Sequence, residues 1–331
     1  MKRKKFLGFI FTIPIVIFLQ INSVSANVDE ENSETQSKTA PSIPYTFQDP
    51  NNLEDPTGYW TKDKMKNAIP ADKIKEDVAP EIVPKEKKSP SIGTPNNVSD
   101  PVAPDKNYDI KPLNAVVPST AGKVFYSYGG DDYVCSASAI NNDYKNLVIT
   151  AGHCVHGGKG KGWHSNIAFV PAYYNGSAPY GIWIWNEART FTTWINDSNF
   201  NQDQAFFTVY PKNGKKLINT VGGNGLSTGY GPNQPNVRIF GWPAERPYDG
   251  QVAYYCEGAT KSAGWFSSDA TMNCGMNGGA SGGPWLRQII DEDLGYVFAV
   301  TSRRSTSGTP ALFATPNDKN VQSMFEQMKK T

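Results

Sequence analysis

The chain has 331 residues, of which 38% are hydrophobic and 19% charged, and its formal net charge is +1. A chain of this length accommodates one large domain or two smaller ones. The near-neutral balance supplies no long-range attraction to nucleic acid or to an anionic membrane surface, so neither is expected as a partner.

The N-terminus carries a basic run, Lys2-Arg3-Lys4-Lys5, and an apolar stretch from Phe6 to Leu19 interrupted by Pro14. The small-residue triplet Val24-Ser25-Ala26 follows. This three-part pattern predicts a secretory signal peptide over 1–26, cut after about Ala26. An uncleaved anchor is the alternative, but the apolar run is short of the roughly 20 residues that span a bilayer. A secreted, extracellular protein with no stable membrane association is therefore expected.

Proline recurs through 27–117 among charged and small polar residues. Such a stretch buries too little apolar surface to offset its chain entropy, and it predicts a propeptide or linker. One island departs from this texture, Tyr59 to Pro70. There Thr61 is placed to cap a short helix with Met65 and Ala68 on one face, ended before Pro70. The island either docks on the downstream domain and holds it inactive, or is a local turn with no partner.

From about Val116 short apolar runs alternate with Gly, Asn and Pro turns, which predicts an all-β domain over 118–331. The expected strands are Lys123–Tyr128, Ala137–Ile140, Leu147–Thr150, Ile167–Pro171 and Tyr180–Trp185. Further along come Ala205–Val209, Val237–Gly241, Ala253–Cys256, Pro284–Leu286 and Tyr296–Thr301. The last stretch, Pro316 to Lys329, predicts a helix capped by Asn317 with Val321, Phe325 and Met328 on one face.

Four cysteines in an exported chain point to disulfides. Three pairings are possible. Cys135–Cys154 with Cys256–Cys274 is preferred, because each bond then closes a loop of about twenty residues. A metal site made of Cys154, His153 and His156 is the rival, but its ligands are too adjacent for zinc spacing. No metal and no cofactor are expected.

Two segments combine residue types suited to nucleophilic catalysis. Thr150-Ala151-Gly152-His153-Cys154 follows the apolar run Leu147-Val148-Ile149, and Gly278-Gly279-Ala280-Ser281-Gly282-Gly283-Pro284 lies far downstream. A serine hydroxyl needs a base within hydrogen-bond reach, and imidazole titrates near neutral pH. The other ring nitrogen needs a fixed acceptor. Glycines around the serine let backbone N–H groups converge on one oxygen. Taken singly, Gly-Ala-Ser-Gly-Gly is more often a flexible turn and a His before Cys more often packed or exposed. Their combination selects the chemical reading.

Together the two segments resemble the His and Ser motifs of the chymotrypsin/trypsin-like serine proteases. Asp203-Gln204-Ala205-Phe206-Phe207 is similar to the third motif, and the order His, Asp, Ser matches. The resemblance covers about 118–329, with the bacterial glutamyl endopeptidases as a close branch. It implies two six-stranded antiparallel β-barrels with a C-terminal helix and the site at their junction. It also implies that His153 is the base, Asp203 its orienting acid and Ser281 the nucleophile, with the Gly279 and Ser281 amides as oxyanion hole. The rival acid, Asp197, sits in a polar run that reads as a turn. His156 and His164 are expected on the surface.

This chain departs from the family in two places. Trypsin-like zymogens place an Asp before the nucleophile to pair with the newly cut N-terminus, and here that residue is Ala280. Activation is therefore expected to bypass that switch and to uncover a formed site, after a cut between about Lys106 and Pro118. The base of the primary pocket maps to Gly275, beside Met276, so no trypsin-like taste for Arg or Lys is implied. Thr301, Ser302 and Arg303 form its other wall. Arg303 and Arg304 either favour an acidic substrate residue or are solvated loop charges.

The resemblance thus implies a monomeric secreted serine endopeptidase made as a preproprotein, with protein or peptide substrates and its own propeptide as partners. The alternatives are a catalytically silent binding or adhesion module on the same fold, and a toxin-like protease of narrow specificity.

Overall fold

The computed structural model describes residues 37–39, 58–71, 93–105, 118–264, 267–291 and 294–330. The expected signal peptide over 1–26 lies outside the described residues, as does the expected processing region except for Pro118 itself. No helix among the described residues is long and apolar enough to cross a membrane.

The upstream segments contribute β1 (Ser37–Thr39), α1 (Lys62–Asn67), β2 (Ile69–Pro70) and β3 (Asn96–Ser99). The first half of the main body holds β4 (Ala121–Tyr128), β5 (Asp131–Ile140), β6 (Leu147–Thr150), β7 (Ser165–Pro171), β8 (Trp183–Phe191), α2 (Thr192–Asp197) and β9 (Ala205–Val209). The second half runs through α3 (Leu217–Val221), β10 (Gly225–Thr228), β11 (Val237–Gly241), β12 (Tyr254–Gly258), β13 (Lys261–Ser262) and β14 (Ala270–Asn273). It continues with β15 (Pro284–Asp291), β16 (Leu294–Val300), β17 (Arg303–Arg304), β18 (Ala311–Ala314) and α4 (Lys319–Met328).

In the first half β4, β5, β6, β9, β8 and β7 form a closed antiparallel ring, because β8 pairs with both β7 and β9, and β7 returns to β4. Val, Ile, Phe and Tyr fill its strands, and β6 and β9 are buried along their whole length. The second half holds a six-stranded sheet in the order β12-β11-β15-β16-β10-β3 and a four-stranded sheet in the order β13-β14-β18-β17. Its β10–β16 pairing is parallel. This is the all-β double-barrel plan the resemblance implies, with few helices and one at the C-terminus.

Local chemistry explains where strand ends differ from expectation. β5 starts at Asp131, ahead of Ala137, because Gly129 and Gly130 both take positive φ (63° and 96°) and turn β4 directly into β5. β8 starts at Trp183, not Tyr180, since Gly181 breaks the run at φ 78° and the Trp183 indole donates to the Tyr180 carbonyl at 3.0 Å. The cap of α4 is Asp318, not Asn317. Its carboxylate accepts from the Asn320 and Val321 amides, whereas the Asn317 amide donates to the Ser227 and Val297 carbonyls in the second half. Val321, Phe325 and Met328 are buried as expected, with Met324 beside them, and Phe325 meets Phe206 of β9 edge-on.

Packed structure begins upstream of residue 118. Thr61 caps α1 by accepting from the Lys64 amide, Met65 is buried, and Trp60 is 3% exposed within the main core. β3 pairs with β10, the Tyr296 hydroxyl donates to Asp100 at 2.7 Å, and Val102 bridges Gly223. Proline-rich composition predicts a stretch unable to fold alone. These pieces pack because the main body supplies the apolar surface and the strand edge they lack.

Both preferred disulfides are present, Cys135–Cys154 and Cys256–Cys274, with Cα separations of 6.1 and 5.9 Å. The rival metal site is corrected by the same finding. Cys135, His153 and Cys154 cluster, but both sulfurs are joined to each other and neither remains a thiolate ligand.

Candidate active site

His153 sits in a single 3₁₀ turn, Gly152–Cys154, at the end of β6. The Cys154–Cys135 bond ties this turn to β5. Asp203 follows a second 3₁₀ turn, Phe200–Gln202, and precedes β9, the strand paired with β6. Adjacent strand ends therefore bring the two side chains together across fifty residues of chain.

The contact is double. Asp203 Oδ2 lies 2.8 Å from His153 Nδ1, and Asp203 Oδ1 accepts the His153 backbone N–H at 2.8 Å. An ionised carboxylate only accepts, so Nδ1 is the donor, and in the neutral imidazole that places the lone pair on Nε2. Asp203 is 1% exposed, and its Oδ2 also accepts the Ser302 hydroxyl at 2.6 Å. Ser302, expected in the pocket wall, thus has its hydroxyl committed to the acid. Asp197 ends α2 on the exposed surface. The Trp194 ring flanks His153, with centroids 6.1 Å apart. His153 Nε2 is buried and makes no hydrogen bond among the described residues, so the expected bond from the Ser281 hydroxyl is not formed in this state.

The segment around Ser281 is held by backbone bonds. The Ala244 amide donates to the Gly278 carbonyl at 2.6 Å, and the Gly283 amide donates to the Ala280 carbonyl at 3.0 Å. A trans peptide points its N–H opposite its C=O. Fixing those two carbonyls therefore fixes the directions of the Gly279 and Ser281 N–H groups, each opposite its own carbonyl. Between them, the Gly279 carbonyl accepts the Ser136 hydroxyl at 2.9 Å, and that hydroxyl accepts the Trp242 amide at 3.0 Å. The Ser136 amide in turn donates to the Ser281 carbonyl at 2.7 Å. Gly282 is required here: at φ 80° a Cβ would stand 2.1 Å from Thr150 Oγ1 and 2.3 Å from the Ser136 carbonyl.

Other expected site residues fall as follows. Ala280 is buried against Gly241. Met276 is buried in the second core cluster, and Gly275 lies on the surface beside the Tyr248 hydroxyl. Thr301 Oγ1 accepts the Trp285 indole N–H at 2.9 Å. Arg303 is ion-paired with Asp269, and Arg304 with Glu245 at 2.7 Å. Neither arginine is a simple solvated charge, and each is neutralised by a carboxylate before any acidic substrate residue arrives.

His156 and His164, expected on the surface, are buried. The Gly157–Gly162 loop folds over itself, His156 Nδ1 accepts the Gly158 amide, and His164 stacks on Tyr126 with centroids 4.1 Å apart. Burial pushes the His164 pKa down to about 3. Sequence reasoning also missed Ser136, whose only signal was its place beside Cys135.

No protein-family model matches the chain, and no curated protein matches it. Solved structures do. Protease Anisep from Arthrobacter nicotinovorans is 32% identical with a TM-score of 0.61, over 65% of this chain and 98% of that one. The thermostable serine protease AL20 from an extremophilic microorganism is 30% identical with a TM-score of 0.59, over 64% and 98%. A Glu endopeptidase in complex with MPD, 18% identical with a TM-score of 0.54 over 67% and 96%, shares the fold.

Proposed function

Because the chain belongs to the trypsin/chymotrypsin-like family of bacterial serine proteases, we propose that it is a secreted endopeptidase working through a His153, Asp203, Ser281 triad. The observation that carries this reading is the two-point clamp of Asp203 on His153, at Nδ1 and at the backbone N–H. A clamp of that kind sets the tautomer and aims Nε2, which is the role a general base needs.

In the proposed reaction Ser281 Oγ attacks the peptide carbonyl while His153 Nε2 takes its proton. The oxyanion sits between the Gly279 and Ser281 amides, where each donor stabilises the developing charge by about 3–4 kcal/mol. His153 then protonates the leaving amine, and water repeats the sequence on the acyl-enzyme. Rotation of the Ser281 side chain toward Nε2 on substrate binding completes the pair, as hydrogen bonds of this type often tighten only in the complex. The primary pocket is assigned to Gly275, Met276, Thr301, Ser302 and Arg303. With Arg303 and Arg304 each paired to a carboxylate, an acidic preference loses its support.

Export through a signal peptide over 1–26 and removal of a propeptide over 27–117 complete the reading, with a monomeric domain over 118–331 as product. Two disulfides support an oxidising destination. The backbone bonds that shape the Ser281 segment involve no charge at position 280, which supports activation without an N-terminal ion pair. A fluorophosphonate probe tests the triad. Labelling is expected in the native chain and lost in Ser281→Ala and His153→Ala. Equal labelling of all three, or of none, refutes the assignment.

A further inference from the structure

We propose that Gly58–Ala71 is a built-in plug for the leaving-group side of the cleft, anchored by Trp60 and wedged by Pro70 between β5 and the nucleophile segment. The inference rests on Ser281 and His153 being the reacting pair.

The anchor is specific. The Trp60 ring packs on Phe125 with centroids 5.3 Å apart, and its indole N–H donates to the Asn166 carbonyl at 2.7 Å. The Tyr59 hydroxyl donates to Asp132 Oδ1 at 2.8 Å while accepting from Ser127 Oγ at 2.9 Å. Lys64 Nζ lies 3.6 Å from the other Asp132 oxygen. Met65 is buried on the underside of α1. Removing the Trp60 and Met65 side chains from water stabilises the docked segment.

This anchor sets the position of the two residues after α1. Ile69 and Pro70 run parallel to Tyr133 and Val134 of β5. The next residue of β5, Cys135, is bonded to Cys154, the neighbour of His153. On its other side the β-carbon of Pro70 comes within 3.0 Å of where a Cβ on Gly278 would stand. Gly278 immediately precedes the expected oxyanion donor Gly279. Pro70 therefore lies between β5 of the first half and the Gly278 turn of the second.

Occupancy of this edge has a directional consequence. The proposed primary pocket and Ser302 lie toward β17, so an acyl group approaches from there. A substrate that continues past the scissile bond toward β5 must take the strip held by Ile69 and Pro70. The plug thus excludes extended peptides while leaving Ser281 open to a small acylating or phosphonylating reagent. The built oxyanion segment fits this division, because the site is formed while one flank is filled.

The test uses the full chain, confirmed uncut by intact mass, with two readouts. The first is the labelling rate with a fluorophosphonate, in which Ser281 Oγ bonds to phosphorus, fluoride leaves, and His153 takes the proton. The second is cleavage of a mixed library of internally quenched peptides that extend several residues on both sides. Trp60→Ala is expected to raise library cleavage at least about tenfold and to leave labelling within about twofold. Asp132→Ala removes the acceptor of the Tyr59 hydroxyl and the partner of Lys64 without emptying the core, and is expected to act in the same direction. Ser281→Ala abolishes both readouts. A library-to-label ratio unchanged in both variants overturns the plug, and so does labelling that rises as much as cleavage, since the plug then covers the acyl side too. Absence of labelling in every form overturns the triad reading, and the plug with it.

Discussion

Replacing Ser136 by Ala probes the organisation of the site without touching the three reacting residues. The Ser136 hydroxyl lies between two buried backbone groups, donating to the Gly279 carbonyl at 2.9 Å and accepting the Trp242 amide at 3.0 Å. Alanine leaves one buried acceptor and one buried donor unpaired. Each orphan costs about 1–3 kcal/mol, so a loss of about 2–6 kcal/mol is expected. For a body of this size that corresponds to a fall in Tm of roughly 4–24 °C in a thermal melt. Activity should fall as well. The Gly279–Ala280 peptide that Ser136 holds links the two proposed oxyanion donors. Loss of a whole donor costs about 10²–10³ in kcat, and loosening both is expected to cost about tenfold or more with little change in KM. Steady-state kinetics below the lowered Tm separates the two effects. A kcat within twofold of the native value refutes the claim that Ser136 shapes the oxyanion segment, and an unchanged Tm refutes the accounting of its two bonds.

Further outcomes follow from other contacts. Asp203→Asn is expected to lower kcat by about 10³–10⁴ with KM nearly constant; Ser302→Ala should cost far less and shift the pH profile of kcat, and equal losses in the two variants count against Asp203 as the orienting acid. His164 is held neutral by burial, with a pKa near 3 against 6.5 when exposed. The unfolded chain therefore takes up a proton between pH 6.5 and 3 that the folded chain refuses, and stability present above pH 6.5 is lost as pH falls through that window, by at most about 1.4 kcal/mol per pH unit. His164→Phe keeps a flat ring on Tyr126, so urea unfolding at pH 7.5, 5.5 and 4.5 should show a shallower acid loss than in the native chain; parallel curves contradict this. Ala280→Asp buries a carboxylate against Gly241 and Met276, and is expected to destabilise by several kcal/mol and to reduce activity. Finally, one extra residue at the processed N-terminus should leave activity unchanged, and an inactive product argues for an ion-pair switch after all.

Much of the molecule was written locally. Leu147-Val148-Ile149-Thr150 and Ala205–Val209 are strands at the expected bounds because uninterrupted β-branched and aromatic runs leave few alternatives to a buried strand. Thr61, Met65 and Pro70 likewise specify the start, buried face and end of α1 within ten residues. The His, Asp and Ser segments carry the residue types that nucleophilic catalysis needs, and the even cysteine count led to both disulfides.

What tertiary structure decided are contacts whose partners lie far apart in the chain. Nothing near Ser302 marks it as a ligand of Asp203, and nothing near Ser136 marks it as the clamp on Gly279. Arg303 and Arg304 look like free loop charges until Asp269 and Glu245 arrive from loops distant in the chain. His156 and His164 sit in polar sequence, yet the aromatic rings of Trp163 and Tyr126 cover them. The upstream segments make the same point most sharply. Composition describes what Gly58–Ala71 can bury against itself, which is little. It is silent on the strand edge and the Phe125 face that the folded body supplies, and those decide that the segment packs, and where.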